Sequence, residues 1–392
     1  MRVFKSTSFY PDYLSNFANS EVFDEELTYD EASSRFFAHM ACWSNFWGTY
    51  LAKLEAVEAV FEATWNADWL QALWARENLS SASLTKVGGS LEEILLLQLK
   101  AFKPTVFFAH SVPGQRPMFL RRVREEVPSI KLIIGWDGAF QNSLEWFSED
   151  NALMTCVDQI SEWYRARGKP CQVLFFGFEP RIADTVRDIE AESKIGFIGS
   201  VFPDGLMHYS RARLLRRMAT VLPCDFRLNL HKSNIETRRS LVKFIDRFRI
   251  RRYDRLCDEL MKFRCGGVFG LDYYRAMRES LVALNCHGDL VKLNVGNMRL
   301  FEAAGVGACQ LTDWRPNLEK LFEIDREIVT YKNHSECARK ATELLNDVNA
   351  AREIGLAAQK RILRDYTFEK MVGSAYNWWM KLIKGFTDSG RP

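Results

Sequence analysis

One stretch constrains the fold more than any other. Asn285 to Phe322, NCHGDLVKLNVGNMRLFEAAGVGACQLTDWRPNLEKLF, sets polar residues among apolar runs in a strand, loop, helix, strand order. The run LVALN (Leu281 to Asn285) predicts a strand, followed by a polar loop with His287, Gly288 and Asp289. A helix is expected to start near Gly296 or Asn297. In it Arg299 and Glu302, three apart, share one exposed face, while Phe301 and Ala304 share another. Gly305 and Gly307 stop that helix, ACQLTD predicts a second strand ending at Asp313 and Trp314, and Pro316 opens a further helix, where its missing N–H costs nothing. Such a passage pairs its strands in parallel. Its polar loops then lie at strand carboxyl ends, where open α/β sheets bind ligands.

The rest of the chain repeats the alternation of short apolar runs and helical patterns that marks a parallel sheet flanked by helices. In the first half, strands are predicted at RVF near Arg2, AVFEA near Val60, TVFFAH ending at His110, KLIIGW ending at Trp136, ALMTC at Ala152 and QVLFF at Gln172. Helical patterns cover Glu31 to Leu54, Ala67 to Glu77 and Arg116 to Glu126. From Gly177 to Ser193 the apolar period is lost and charge rises, which predicts a connection rather than an element. The second half restarts with KIGFIGS, a helix presenting Leu214, Met218 and Leu222, and the strand DFRLNLHK. After the central passage come EIVTY, a helix from Ser335 to Asn346, another through Arg361, and an aromatic helix from Phe368 to Ile383. The expected division is 1–185, 186–366 and a closing segment, 367–392, that packs back on the first domain.

Composition narrows the partners. A chain of 392 residues with 47% hydrophobic content can bury two cores of ordinary size. A formal net charge of +3 against 53 basic and 50 acidic residues gives no ground for a nucleic-acid partner. The nine cysteines are scattered and never spaced as C-x-x-C, which argues against a disulfide framework or a zinc site and for a reducing compartment. MRVFKSTSFY has neither the apolar core nor the cleavage site of a signal peptide, and no apolar run approaches the roughly 20 residues needed to cross a bilayer. A cytoplasmic protein is expected. Its one candidate membrane contact is peripheral, through the basic and apolar run Arg238 to Arg264, at the inner membrane face. The plainer reading of that run is a long surface helix with a solvated basic side.

The phrases NMRLFEAAGVGACQLTD, NLEKLF, EIVTY and TFEKMV resemble the nucleotide-sugar-binding half of CgeB-like glycosyltransferases, relatives of the group 1 enzymes. The likeness runs from about Lys194 to about Val372 and is densest after Leu281. It implies the GT-B fold, two Rossmann-like domains facing across a cleft with the donor held in the second. It also implies transfer of a sugar from a nucleotide diphosphate sugar to an acceptor hydroxyl, in glycan or cell-envelope polysaccharide synthesis, with no cofactor. Two rivals share such a scaffold, a sugar-nucleotide epimerase and a non-catalytic envelope or spore-coat protein.

The resemblance gives Glu302 the place of a glutamate that accepts hydrogen bonds from ribose hydroxyls; the plain alternative is an exposed helix carboxylate pairing with Arg299. Group 1 enzymes often carry a second glutamate eight positions earlier, where this chain has Asn294, so catalytic roles built on that pair do not transfer. The helix start at Asn297 and Met298 offers unpaired N–H groups to a phosphate, and Arg299 adds a forked donor; Asn297 is equally well read as a simple cap. Gly199 and Ser200 end a strand where backbone can approach a phosphate closely. Arg211, Arg213, Arg216 and Arg217 follow and are mostly expected on the solvated surface. His287 with Asp289 is a candidate acid/base or donor-contact pair. In the first half His110 and Asp137 end strands and are candidate acceptor bases, or loop caps. No D-x-D phrase and no histidine pair at metal-ligand spacing is present, so a metal-independent reaction is expected.

Overall fold

The computed structural model of the chain describes residues 1–20, 27–139, 141–202, 208–230, 244–264, 266–288 and 294–388. They form two compact units, Met1–Gly177 together with Phe368–Pro392, and Phe178–Thr367.

The first unit is built on a six-stranded parallel sheet: β1 (Arg2–Thr7), β2 (Ala59–Thr64), β3 (Val106–Ala109), β4 (Leu132–Trp136), β5 (Ala152–Thr155) and β6 (Cys171–Val173). Their order is β2-β1-β3-β4-β5-β6, so the chain changes direction of travel between β1 and β3. β3, VFFA, is buried on both faces, as a central parallel strand must be. Phe4, Phe61, Phe102 and Phe107 pack edge and face in its core. The closing helix, Phe368–Asp388, joins this unit: Trp379 stacks on Trp47 at 5.7 Å, and Phe368 meets Phe46 at 4.8 Å.

The second unit carries a five-stranded parallel sheet of β7 (Glu192–Val201), β8 (Cys224–Leu230), β9 (Ser280–Leu284), β10 (Cys309–Asp313) and β11 (Val329–Tyr331), in the order β11-β10-β9-β7-β8. Its direction of travel reverses between β7 and β9. Gly355 lets the helix Val348–Asp365 lie directly on the chain before β10, because a Cβ there would come 2.5 Å from the Gly307 carbonyl oxygen.

Three local expectations change, and the basic run takes its plainer reading. Glu31 to Leu54 is two helices, Tyr29–Ala38 and Phe46–Leu51, because Met40 and Cys42 take left-handed backbone angles that no helix admits. The connection after Gly177 contains a helix, Pro180–Val186, opened by Pro180 at its first turn and by Glu179 accepting from Arg181 N. Pro316 leads only into a short 3₁₀ turn, Leu318–Lys320. The basic run forms the helix Phe244–Leu260, whose Tyr253, Leu256, Cys257 and Leu260 are buried in the second unit's core while Arg251, Arg252 and Arg255 are exposed. Residues 238–243 of that run and the side chains of 244–250 lie outside the described residues. No helix among the described residues is long and apolar enough to cross a membrane.

Candidate functional site

The reversal between β7 and β9 sets the carboxyl ends of those strands side by side, and there the predicted residues of the second unit gather. β7 delivers Gly199 and Ser200. β9 runs into Asn285 and His287, and the short helix Met298–Gly305 starts beside them. Arg299 lays its guanidinium over the Phe197 ring at 4.6 Å. A Cβ at Gly199 would stand 2.2 Å from Arg299 Nη2, so glycine is what gives the arginine its place. Arg299 Nη1 reaches Asn285 Oδ1 only at 3.5 Å, and its Nε is buried without a partner.

Arg213, Arg216 and Arg217 are exposed, as expected of most of the four arginines, and Arg211 is the exception. Its side chain turns inward from the helix Tyr209–Val221, is 8% exposed, and donates to the carbonyls of Ser200 at 2.9 Å and Cys286 at 2.6 Å. His208 sits beside it, accepting from Phe202 N at 3.1 Å. Burial, then the charges of Arg211 and Arg299, push its pKa down to about 3, so the imidazole is neutral. Neither guanidinium has an ion-pair partner among the described residues. Inward-turned cations are costly where no counter-charge meets them, and an anion beside them relieves that cost.

The helix start adds to the same field. Asn297 occupies the N-cap position yet makes no side-chain cap, contrary to the simple-cap reading. Its amide exchanges bonds with Asn285 instead, at 2.8 and 3.2 Å. The first N–H groups, from half-buried Met298 onward, therefore gain no acceptor from the Asn297 side chain.

His287 is 5% exposed, and its partner is Asp313 at the end of β10. Asp289 lies outside the described residues. Asp313 Oδ1 accepts from the His287 backbone N–H at 2.9 Å and lies 2.7 Å from its Nδ1, while Oδ2 accepts from Arg315 at 2.7 Å. Burial alone would raise the Asp313 carboxyl, but the His287 hydrogen bonds and Arg315 overcome it and hold the pKa at about 2. An ionised carboxylate only accepts, so Nδ1 carries the hydrogen, and in the neutral ring Nε2 is then the acceptor. Nε2 is buried and has no partner among the described residues.

Glu302 also departs from expectation. It is buried, 7% exposed, and does not pair with Arg299. Its Oε2 accepts from Tyr273 Oη at 2.7 Å and its Oε1 from Tyr274 Oη at 3.3 Å, both tyrosines coming from the helix Gly270–Arg278. Burial raises its pKa, and the tyrosine hydrogen bonds and Arg299 offset that only in part. Asn294, at the place of the second family glutamate, is buried with its Nδ2 unpartnered.

In the first unit the reversal between β1 and β3 brings Thr7 and His110 together, Oγ1 to Nδ1 at 3.1 Å. The His110 ring packs on Trp43 at 4.3 Å and nears Trp136 at 6.1 Å. Burial, then Lys5 and Arg116, lower its pKa to about 3, which favours a neutral hydrogen-bonding imidazole over a proton acceptor. Asp137 is buried with both oxygens engaged: Oδ1 by Ala139 N and Gln141 Nε2, Oδ2 by Tyr164 Oη at 2.8 Å. Those bonds are what a loop-capping carboxylate makes.

Residues 213–374 match the family described as glycosyl transferase-like. No curated protein matches the chain in sequence. Solved structures match it over nearly its full length. HepE of Anabaena, in complex with UDP and glucose, has 9% identity and a TM-score of 0.54, with 97% of this chain and 100% of that chain covered. Sucrose-phosphate synthase of Thermosynechococcus elongatus has 9% identity and a TM-score of 0.54 over 98% and 100%. AviGT4, a glycosyltransferase involved in avilamycin A biosynthesis, has 14% identity and a TM-score of 0.54 over 98% of each chain. Residues 213–374 are thus similar to a glycosyl transferase-like domain, and the solved structures give the chain the GT-B fold.

Proposed function

We propose that the chain moves a sugar from a nucleotide diphosphate sugar to an acceptor hydroxyl, with the Phe178–Thr367 unit holding the donor. The observation that carries this reading is the pair of inward-turned guanidiniums, Arg211 and Arg299, without a carboxylate partner among the described residues, beside Gly199 and an uncapped helix start. A diphosphate fits that field in charge and in geometry. Glu302, three residues after Arg299 on the same helix, suits the ribose end. His287 Nε2, an unpartnered acceptor, suits a hydroxyl of the donor sugar or a proton released in the reaction. HepE, which shares the fold, binds UDP. A CgeB-like role in glycan or cell-envelope polysaccharide synthesis accords with this reading, as does an acceptor site in the first unit near His110.

The leaving diphosphate gains charge as the glycosidic bond breaks, and Arg211, Arg299 and the helix start are fixed in place to meet it. Transfer therefore proceeds without a metal, and activity should survive exhaustive treatment with a chelator. Loss of activity that manganese or magnesium restores would refute the metal-free mechanism.

The donor reading is tested directly by thermal denaturation with a panel of nucleoside diphosphates. A ligand at one hundred times its dissociation constant stabilises the native state by about 2.7 kcal/mol, so the correct base should raise the Tm visibly above the others. A flat response across the panel defeats the proposal. Conversion of donor sugar without any acceptor would identify an epimerase instead.

A further inference from the structure

We propose that Tyr273 and Tyr274 form a hydroxyl clamp that holds Glu302 away from Arg299, keeping the carboxylate available to a ribose and the guanidinium available to a diphosphate. The inference rests on the donor reading above and adds residues that nothing else assigns.

Arg299 and Glu302 stand three apart on one helix, the spacing at which opposite charges ordinarily pair. Glu302 is buried, where the incentive to pair is stronger than on a surface. Yet both of its oxygens face the neighbouring helix. Tyr273 donates at 2.7 Å and Tyr274 at 3.3 Å, their rings nearly perpendicular at 81° with centroids 5.1 Å apart. Tyr274 is itself buried and meets Phe178 edge-on, so it is the fixed member. Tyr273 is half-buried. An ionised carboxylate has about four acceptor positions. Two hydroxyls occupy half of them and leave the others for a vicinal diol. Without the clamp, the nearest cation for Glu302 is Arg299, whose own Nε lacks a partner. The two charges would then neutralise each other, and both ends of the donor would lose their contact.

The test uses the full chain and calorimetric titration with UDP, ADP and GDP, each beside its 2′-deoxy counterpart, and with inorganic pyrophosphate. For the best-bound base, the wild type should prefer the ribonucleotide roughly tenfold or more, the range expected when a hydrogen bond to a charged group is lost. Tyr273→Phe, which keeps the ring and removes only the hydroxyl, should bring that ratio down several-fold and weaken pyrophosphate binding as well. If Tyr273→Phe lowers the Tm while ratio and pyrophosphate affinity stay unchanged, the hydroxyl merely ties two helices and the clamp is refuted. If Tyr273→Phe does not fold, Tyr274→Phe is read by the same criteria. Tight nucleotide binding with no ribose preference in the wild type overturns the clamp while the donor reading stands. Absence of all nucleotide binding overturns the donor reading, and the clamp with it.

Discussion

Arg299→Met should weaken nucleoside diphosphate binding roughly 10- to 100-fold, the span of one or two charge-assisted hydrogen bonds, without loss of native-state stability. The two halves of this result have one cause. In the unliganded protein Arg299 contributes little: a long contact to Asn285, a stack on Phe197 and an unsatisfied Nε. Methionine keeps the apolar stem and removes an inward-facing charge, so the unliganded Tm should hold or rise slightly. Affinity should fall because, on the proposed reading, the group serves the ligand and not the fold. Gly199→Ala supplies an independent check, since its Cβ would stand 2.2 Å from Arg299 Nη2 and must displace the guanidinium. It should reproduce the binding defect with Arg299 still present. A variant Arg299→Met that binds normally, or that unfolds, would show the arginine to be a structural residue.

The parallel sheets were legible because their strands are short apolar runs bounded by polar turns. LVALN and ACQLTD became β9 and β10, and TVFFAH became β3, all buried through their apolar stretch. Where the sequence misleads, the role of a side chain depends on tertiary partners that local pattern does not show. Arg211 reads as one of four arginines on an amphipathic helix, and only the fold shows that its turn points at the carbonyls of Ser200 and Cys286. Glu302 satisfies helix periodicity on either face, and the face is settled by tyrosines some thirty residues upstream. Asp313 was visible as the last residue of a predicted strand, but parallel register is what carries it to His287. The break between the helices Tyr29–Ala38 and Phe46–Leu51 had no glycine or proline to announce it, since Met40 and Cys42 supply the left-handed turn themselves. Lys5 is the extreme case: a charged residue within β1, fully buried against Glu62 at 2.6 Å, which no alternation pattern would place inside.

His287→Ala should cut turnover by about 10²–10⁴-fold with little change in nucleoside diphosphate affinity, the signature of a group that acts in the transition state. Asp313→Asn is the sharper variant. It preserves shape, but the amide N–H₂ can donate to Nδ1, which would move the imidazole hydrogen to Nε2 and turn the acceptor into a donor. In the serine-protease triad the equivalent change costs roughly 10⁴ in turnover with the geometry intact. A fall of at least 10² is therefore expected here. The same substitution has a stability signature. Asp313 titrates at about 2, below its ordinary 3.8, so its pairing with His287 and Arg315 stabilises the native state above the ordinary carboxylate pKa. That contribution is lost as pH falls from near 4 through about 2. The gap in stability between wild type and Asp313→Asn should accordingly be full at neutral pH and close towards pH 2. His110→Ala and Asp137→Ala complete the comparison, because the first has its pKa lowered to about 3 and the second has both oxygens committed to its own loop and Tyr164. Should either of them abolish transfer while His287→Ala turns over normally, the proton must leave through the first unit, and His287 and Asp313 are then a structural tie between β9 and β10.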